Sequence, residues 1–146
     1  MFNKKRKTLL ALVTAGFLWT AAVAAQAETV VVSGRNFSAT IMSVTQLEDI
    51  WLGKTKYLPD GSAVLVVDQP EGSKIRDDFY DKVTHKSPTQ VKAYWTRQIF
   101  IGKGSAPKSL RDDSEVKHWV AETAGGLGYI DKASVDDSIK VLLSLP

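Results

Sequence analysis

The chain has no cysteine among its 146 residues. Disulfides are therefore excluded, and the fold must rest on its hydrophobic core. Histidine is scarce too. His85 and His118 are the only two, and they do not form a pair at helical spacing. With no cysteine beside them, a structural zinc site has no ligand set, and surface or capping roles suit both histidines. No Gly-x-Ser-x-Gly elbow is present, so the familiar hydrolase signature is missing. Gly102-Lys103-Gly104-Ser105 lacks the six-residue glycine spacing of a phosphate loop. Ala106-Pro107 follows it and prevents a helix from starting on time. Gly125-Gly126-Leu127-Gly128 lacks dinucleotide-loop spacing and a strand before it, and reads as a tight helix-to-strand turn. Internal repeats and low-complexity tracts are absent as well.

An excess of one charge is also missing once the N-terminus is set apart. Lys4, Lys5, Arg6 and Lys7 form a basic start, Thr8 to Ala25 is apolar, and Ala25-Gln26-Ala27 is a small-residue cleavage site. This order of regions predicts a secretory signal over residues 1–27, with Glu28 as the mature N-terminus. An uncleaved membrane anchor is the alternative, since the apolar stretch is close to the minimum spanning length. No cysteine follows for lipid attachment, so a free periplasmic protein of a Gram-negative cell is expected. Of 19 basic residues, four lie in this segment, which leaves 15 against 16 acidic ones and a net charge of −1. The basic pI belongs to the leader, and nucleic acid is not an expected partner. Removing residues 1–27 from 146 leaves 119, a length suited to one domain over residues 28–146.

Within that domain, Glu28 to Ser33 reads as a strand. Thr45 with Glu48 suggests a capping box for a short helix carrying Leu47, Ile50 and Trp51, stopped by Gly53. Residues 54–62 form a loop ending in an Asp-Gly turn. Ser87-Pro88-Thr89-Gln90 starts a second helix, with Val91, Trp95 and Ile99 on one stripe and Tyr94 beside it. Asp112 or Asp113 opens another, with Val116, Trp119 and Val120 on one face. Core packing accounts for Trp51, Trp95 and Trp119 better than sugar or base stacking does. Leu127 to Ile130 is a short strand. Periodicity leaves Ile139 to Leu143 open between strand and helix. About four strands and four helices, interleaved, predict an α/β sandwich with a parallel or mixed sheet.

Residues 63–80 are the most informative stretch. Val64 to Val67 is an apolar β-branched run, Asp68-Gln69-Pro70-Glu71-Gly72 breaks it, and Ser73 stands where a helix cap belongs. Ile75, Phe79 and Val83 follow at four-residue spacing. A strand, a Gly-Ser turn and a helix start bring free N–H groups and a helix dipole to one place, a geometry suited to anions. The candidate ligand-binding residues are Gly72, Ser73, Lys74 and Arg76. A plain helix cap is the alternative, because Asp77 and Asp78 already compensate the dipole.

The order of segments resembles the periplasmic substrate-binding proteins of phosphate ABC transporters over roughly residues 43–131. Gln46 to Lys54 (QLEDIWLGK), the Glu71-Gly72-Ser73 loop and Ala124 to Ile130 (AGGLGYI) carry the resemblance. It implies one lobe of a type II periplasmic binding protein, a three-layer sandwich with a small mixed sheet. It also implies a small oxyanion such as phosphate as ligand and a membrane transporter as partner. No cofactor is implied. The loop departs from the family where Gln69 replaces an arginine, Lys74 a glycine and Ile75 a threonine. These departures favour a rival reading, a ligand-less accessory or interaction protein of an envelope or signalling system. One lobe leaves its ligand wet, and a homodimer is the arrangement that would restore a cleft. An enzyme is a third option, without a motif behind it.

Overall fold

The computed structural model describes residues 26–146. The expected leader therefore lies, except for its last two residues, outside the described residues. Among the described residues, five strands and four α-helices are interleaved without strict alternation. They are β1 (Thr29–Gly34), α1 (Val44–Trp51), β2 (Leu65–Asp68), α2 (Lys74–Thr84), α3 (Pro88–Phe100), β3 (Lys108–Ser109), α4 (Asp113–Glu122), β4 (Gly126–Asp131) and β5 (Ile139–Leu145). The strands form one sheet in the order β3-β2-β4-β1-β5. β2 is parallel to both β3 and β4, whereas β1 runs antiparallel to its neighbours β4 and β5. The expected mixed sheet is thus present, with one strand reversed.

Strand alternation divides the core into two layers. Val31, Leu127 and Tyr129 point to one face, where Leu47, Trp51, Phe79, Val83, Val91 and Trp95 of the first three helices cover them. Val30, Val32 and Ile130 point to the other face, against Val116 and Val120 of α4. Helices on both sides of a sheet make the three-layer sandwich. Phe79 is the hub of the larger cluster. It stacks on Tyr129 at 4.0 Å between ring centres and meets Trp51 edge-on at 4.8 Å. Gly128 belongs in β4 because of close approach. A Cβ there would stand 2.5 Å from Val116 Cγ1, so α4 can pack directly onto the strand.

Several local expectations need correction. Ser43 and Gln46, not Thr45 and Glu48, make the capping box of α1. Ser43 has the extended backbone of a cap, and its hydroxyl accepts from the Gln46 N–H. Ile99 leaves the expected stripe: it is 57% exposed, whereas Val91 is fully buried and Trp95 7% exposed. The α3 core contact therefore ends one turn before the helix does. The ambiguous C-terminal segment is a strand, because β1 offers it an edge with the register Val31 to Leu143 and Thr29 to Leu145. The two-residue β3 was not expected and is too short to leave a periodic pattern. The Ser87–Gln90 capping box, the Asp112 cap of α4 and the turn at Gly125 are as expected.

Candidate functional site

In an open α/β sheet, ligands bind beyond the carboxyl ends of the parallel strands. Here that end is built from Asp68 to Ser73 after β2, Asp112 and Asp113 at the start of α4, and Asp131 at the end of β4. The turn after β2 bends at Gly72, whose φ of 86° lies in the left-handed region. A side chain at that position would meet nothing within 4 Å, so its backbone conformation, and no neighbouring group, is what calls for glycine. Ser73 then has the extended backbone of an N-cap, and its carbonyl accepts from the Asp77 N–H at 3.1 Å. Its hydroxyl does not cap the helix. Ser73 Oγ is buried without a hydrogen-bond partner among the described residues, as is Asp77 Oδ1.

The four candidate residues do not converge. Gly72 and Lys74 are exposed, and Ser73 is half-buried. A small cleft of about 240 Å³ beside the first turn of α2 is lined by Lys74, Ile75, Asp78, Asp131 and neighbours, so acids outnumber bases there. Arg76 turns inward instead. Its Nε lies 3.3 Å from Asp68 Oδ2, its side chain is only 12% exposed, and its guanidinium sits 5.0 Å over the Tyr80 ring. Burial is the largest single influence and lowers the Arg76 pKa, but the Asp68 charge and hydrogen bond together with Tyr80 and Tyr129 outweigh it and hold the group above its usual value. Arg76 is thus committed to the interior.

Its partner Asp68 is the residue that sequence reasoning passed over. Asp68 is 3% exposed. Tyr80 Oη donates to its Oδ2 at 2.7 Å, and Tyr129 Oη and the Gln69 N–H both donate to Oδ1. Burial pushes both phenols well above the ordinary tyrosine range, and the Asp68 charge pushes them further. A second carboxylate, half-buried, lies nearby. Asp113 Oδ1 accepts from Gln69 Nε2 at 2.7 Å, and Oδ2 accepts from the Asp131 N–H at 3.0 Å and Ser134 Oγ at 2.8 Å. Gln69 thereby ties β2, β4 and α4 together, since its Nε2 also donates to the Tyr129 carbonyl at 2.9 Å. The one available signal was Asp68 following a fully apolar run, with Tyr80 and Tyr129 elsewhere in apolar patterns. Partners separated by up to 61 residues cannot be read from spacing.

Two protein-built anions therefore occupy the carboxyl end of the sheet, and the uncapped first turn of α2 lies beside them. The larger clefts lie elsewhere. One of about 760 Å³ runs between Gly34 to Ser38 and Val120 to Gly125. Another of about 350 Å³ opens at the amino end of β2.

No known family pattern matches the chain, and no curated protein matches it by sequence. Solved structures do match it. A proposed phosphate ABC transporter substrate-binding protein from Clostridium perfringens, solved with bound phosphate, has a TM-score of 0.64 at 20% identity. That match covers 80% of this chain and 44% of the other. An ABC-type phosphate transport receptor from Vibrio cholerae has a TM-score of 0.63 at 18% identity, over 80% and 45%. PstS from Borrelia burgdorferi has 0.59 at 13% identity, over 80% and 46%. The fold is that of one lobe of a phosphate-type substrate-binding protein. The chain spans less than half the length of each of these proteins. At these identities the likeness concerns the fold, and the residues of the Gly72-Ser73 turn carry their own case.

Proposed function

We propose that this chain is a solute-binding-type module, exported to the periplasm, that takes a small oxyanion such as phosphate at the first turn of α2. The observation that carries this reading is the orphan hydroxyl of Ser73. It stands at a helix start, is buried without a partner, and does not cap the helix. A buried polar group without a hydrogen bond costs roughly 1–3 kcal/mol. An oxyanion held by Ser73 Oγ and the N–H groups that follow it would recover that loss and use the helix dipole. Lys74 would add an exposed charge, whereas Arg76 would act through Asp68 by fixing the loop. The phosphate named for the solved neighbours supports the ligand class, and a membrane transporter would be the downstream partner. A second copy of the chain could cover the wet side of the site.

A second reading has its own observation. Asp68 and Asp113 already hold the donors at the carboxyl end of the sheet, as internal anions would. This favours an interaction protein that keeps the fold without the ligand.

Calorimetry at low salt with phosphate, sulfate and small carboxylates separates the two. Binding that Ser73→Ala weakens by about one to two decades, as expected for one hydrogen bond to a charged group of roughly 1.5–3 kcal/mol, upholds the first reading. Absence of heat at millimolar anion, for monomer and dimer alike, leaves the second. Intact-mass analysis of protein recovered from the periplasm should show Glu28 at the N-terminus. A retained 1–27 segment would overturn the export reading.

A further inference from the structure

The cleft of about 350 Å³ at the amino end of β2 lies at the opposite end of the strand from Ser73, and its chemistry differs. It arises because β3 pairs with β2 only from Val67 onward. The preceding loop, residues 103–107, therefore stands away from Leu65 and Val66. Its apolar surface comes from Leu65, 57% exposed at the mouth, with Val66, Ala106 and Pro107 beside it; Trp95, 7% exposed, shows only an edge at the base, and Trp51 behind it is fully buried. Three lysines, Lys56, Lys103 and Lys108, line it, and no acidic residue does. Among the described residues none of the three enters an ion pair, whereas nearby Lys54 is held by Glu48 and Asp49. Unpaired ammonium groups gathered over an apolar wall leave positive charge uncompensated where a ligand can reach it.

We infer that this cleft is a second site, for an amphipathic organic carboxylate: an apolar body against Leu65, Val66 and Pro107, with its carboxylate among Lys56, Lys103 and Lys108. Charge complementarity selects the anion, and the apolar wall selects against bare inorganic ions, which leave that wall wet. The site does not depend on the oxyanion reading of the α2 turn.

Octanoate is the probe, with 1-octanol and sulfate as controls, and tryptophan emission, to which Trp95 at the base of the cleft contributes, is the readout. Octanoate should give a saturable change, and octanol and sulfate should bind about tenfold more weakly or less. Exposed ion pairs are modest and screened by salt. The triple variant Lys56→Gln, Lys103→Gln, Lys108→Gln should therefore weaken octanoate by roughly tenfold at low salt, and salt should weaken the parent protein towards the same value. Lys103→Glu alone provides the test if the triple variant loses its thermal transition. Ser73→Ala should leave octanoate binding unchanged while acting on phosphate, so failure of one site is distinguishable from failure of the other. A linear response to octanoate, equal binding of octanol, or binding indifferent to the lysine changes would overturn the assignment.

Discussion

Asp68→Asn tests whether the buried carboxylate organises the carboxyl end of the sheet. The change keeps the shape of the side chain and removes its charge. Asp68 accepts from two buried phenols and the Gln69 N–H, and it pairs with an Arg76 side chain only 12% exposed. Hydrogen bonds to a charged group contribute about 1.5–3 kcal/mol each, and neutral ones about 0.5–1.5. An amide therefore downgrades three side-chain donors by roughly 1 kcal/mol each, and its NH2 group faces one of those donors head-on. The sum, about 3 kcal/mol, agrees with the 3–5 kcal/mol lost when one partner of a buried pair is removed. Total stability of about 5–15 kcal/mol makes this a large fraction. In urea, with a slope of about 1.5 kcal/mol/M, the midpoint followed by tryptophan emission should fall by about 2 M. Arg76→Met in the Asp68→Asn background should then cost clearly less than in the wild type, because the guanidinium has already lost its counter-charge. A midpoint within about 0.3 M of wild type for Asp68→Asn, at unchanged slope, would refute the reasoning.

Alkaline pH should act through Tyr80 and Tyr129, whose folded-state pKa values are raised above the ordinary 10.0. Above that value the unfolded chain releases protons that the folded chain keeps, so stability present below about pH 10 should fall by up to about 1.4 kcal/mol per pH unit for each tyrosine. Urea midpoints measured from pH 8 to 11 check this, and Tyr80→Phe should flatten the decline; a flat profile in wild type would count against it. Trp95→Ala should cost about 3–5 kcal/mol, since the ring is only 7% exposed, and an unchanged denaturant midpoint would show that the α3 stripe is not core. Ser43→Ala should lose about 1 kcal/mol through the α1 cap, whereas Thr45→Ala should lie within a few tenths of wild type. Equal losses in thermal melts would undo that assignment.

Several features were determined by the sequence itself because their physics is local. β-branched runs predict β1 and β2, and the Ser87–Gln90 box and Asp112 predict the starts of α3 and α4. Glycines 72 and 125 adopt the left-handed backbone that a side chain resists. These signals act within a few residues, as do the four-residue spacings of α2. The capping error at α1 has the same local character: two overlapping boxes were written one after another, and only the one whose serine has the extended backbone formed. Tertiary structure decided the rest. Ile139 to Leu145 became a strand because β1 exposed an edge to it, and Ile99 turned to solvent because the neighbouring layer ended before the helix did. Arg76 looked like a free cation near an anion loop, yet it lies one helical turn from Tyr80 and faces Asp68 across the start of α2. Asp68 meets Tyr129 across 61 residues, and Gln69 meets Asp113 across 44. A pairing at that distance depends on which strands become neighbours. Three lysines come to share one cleft only after the loop before β3 has been placed beside β2.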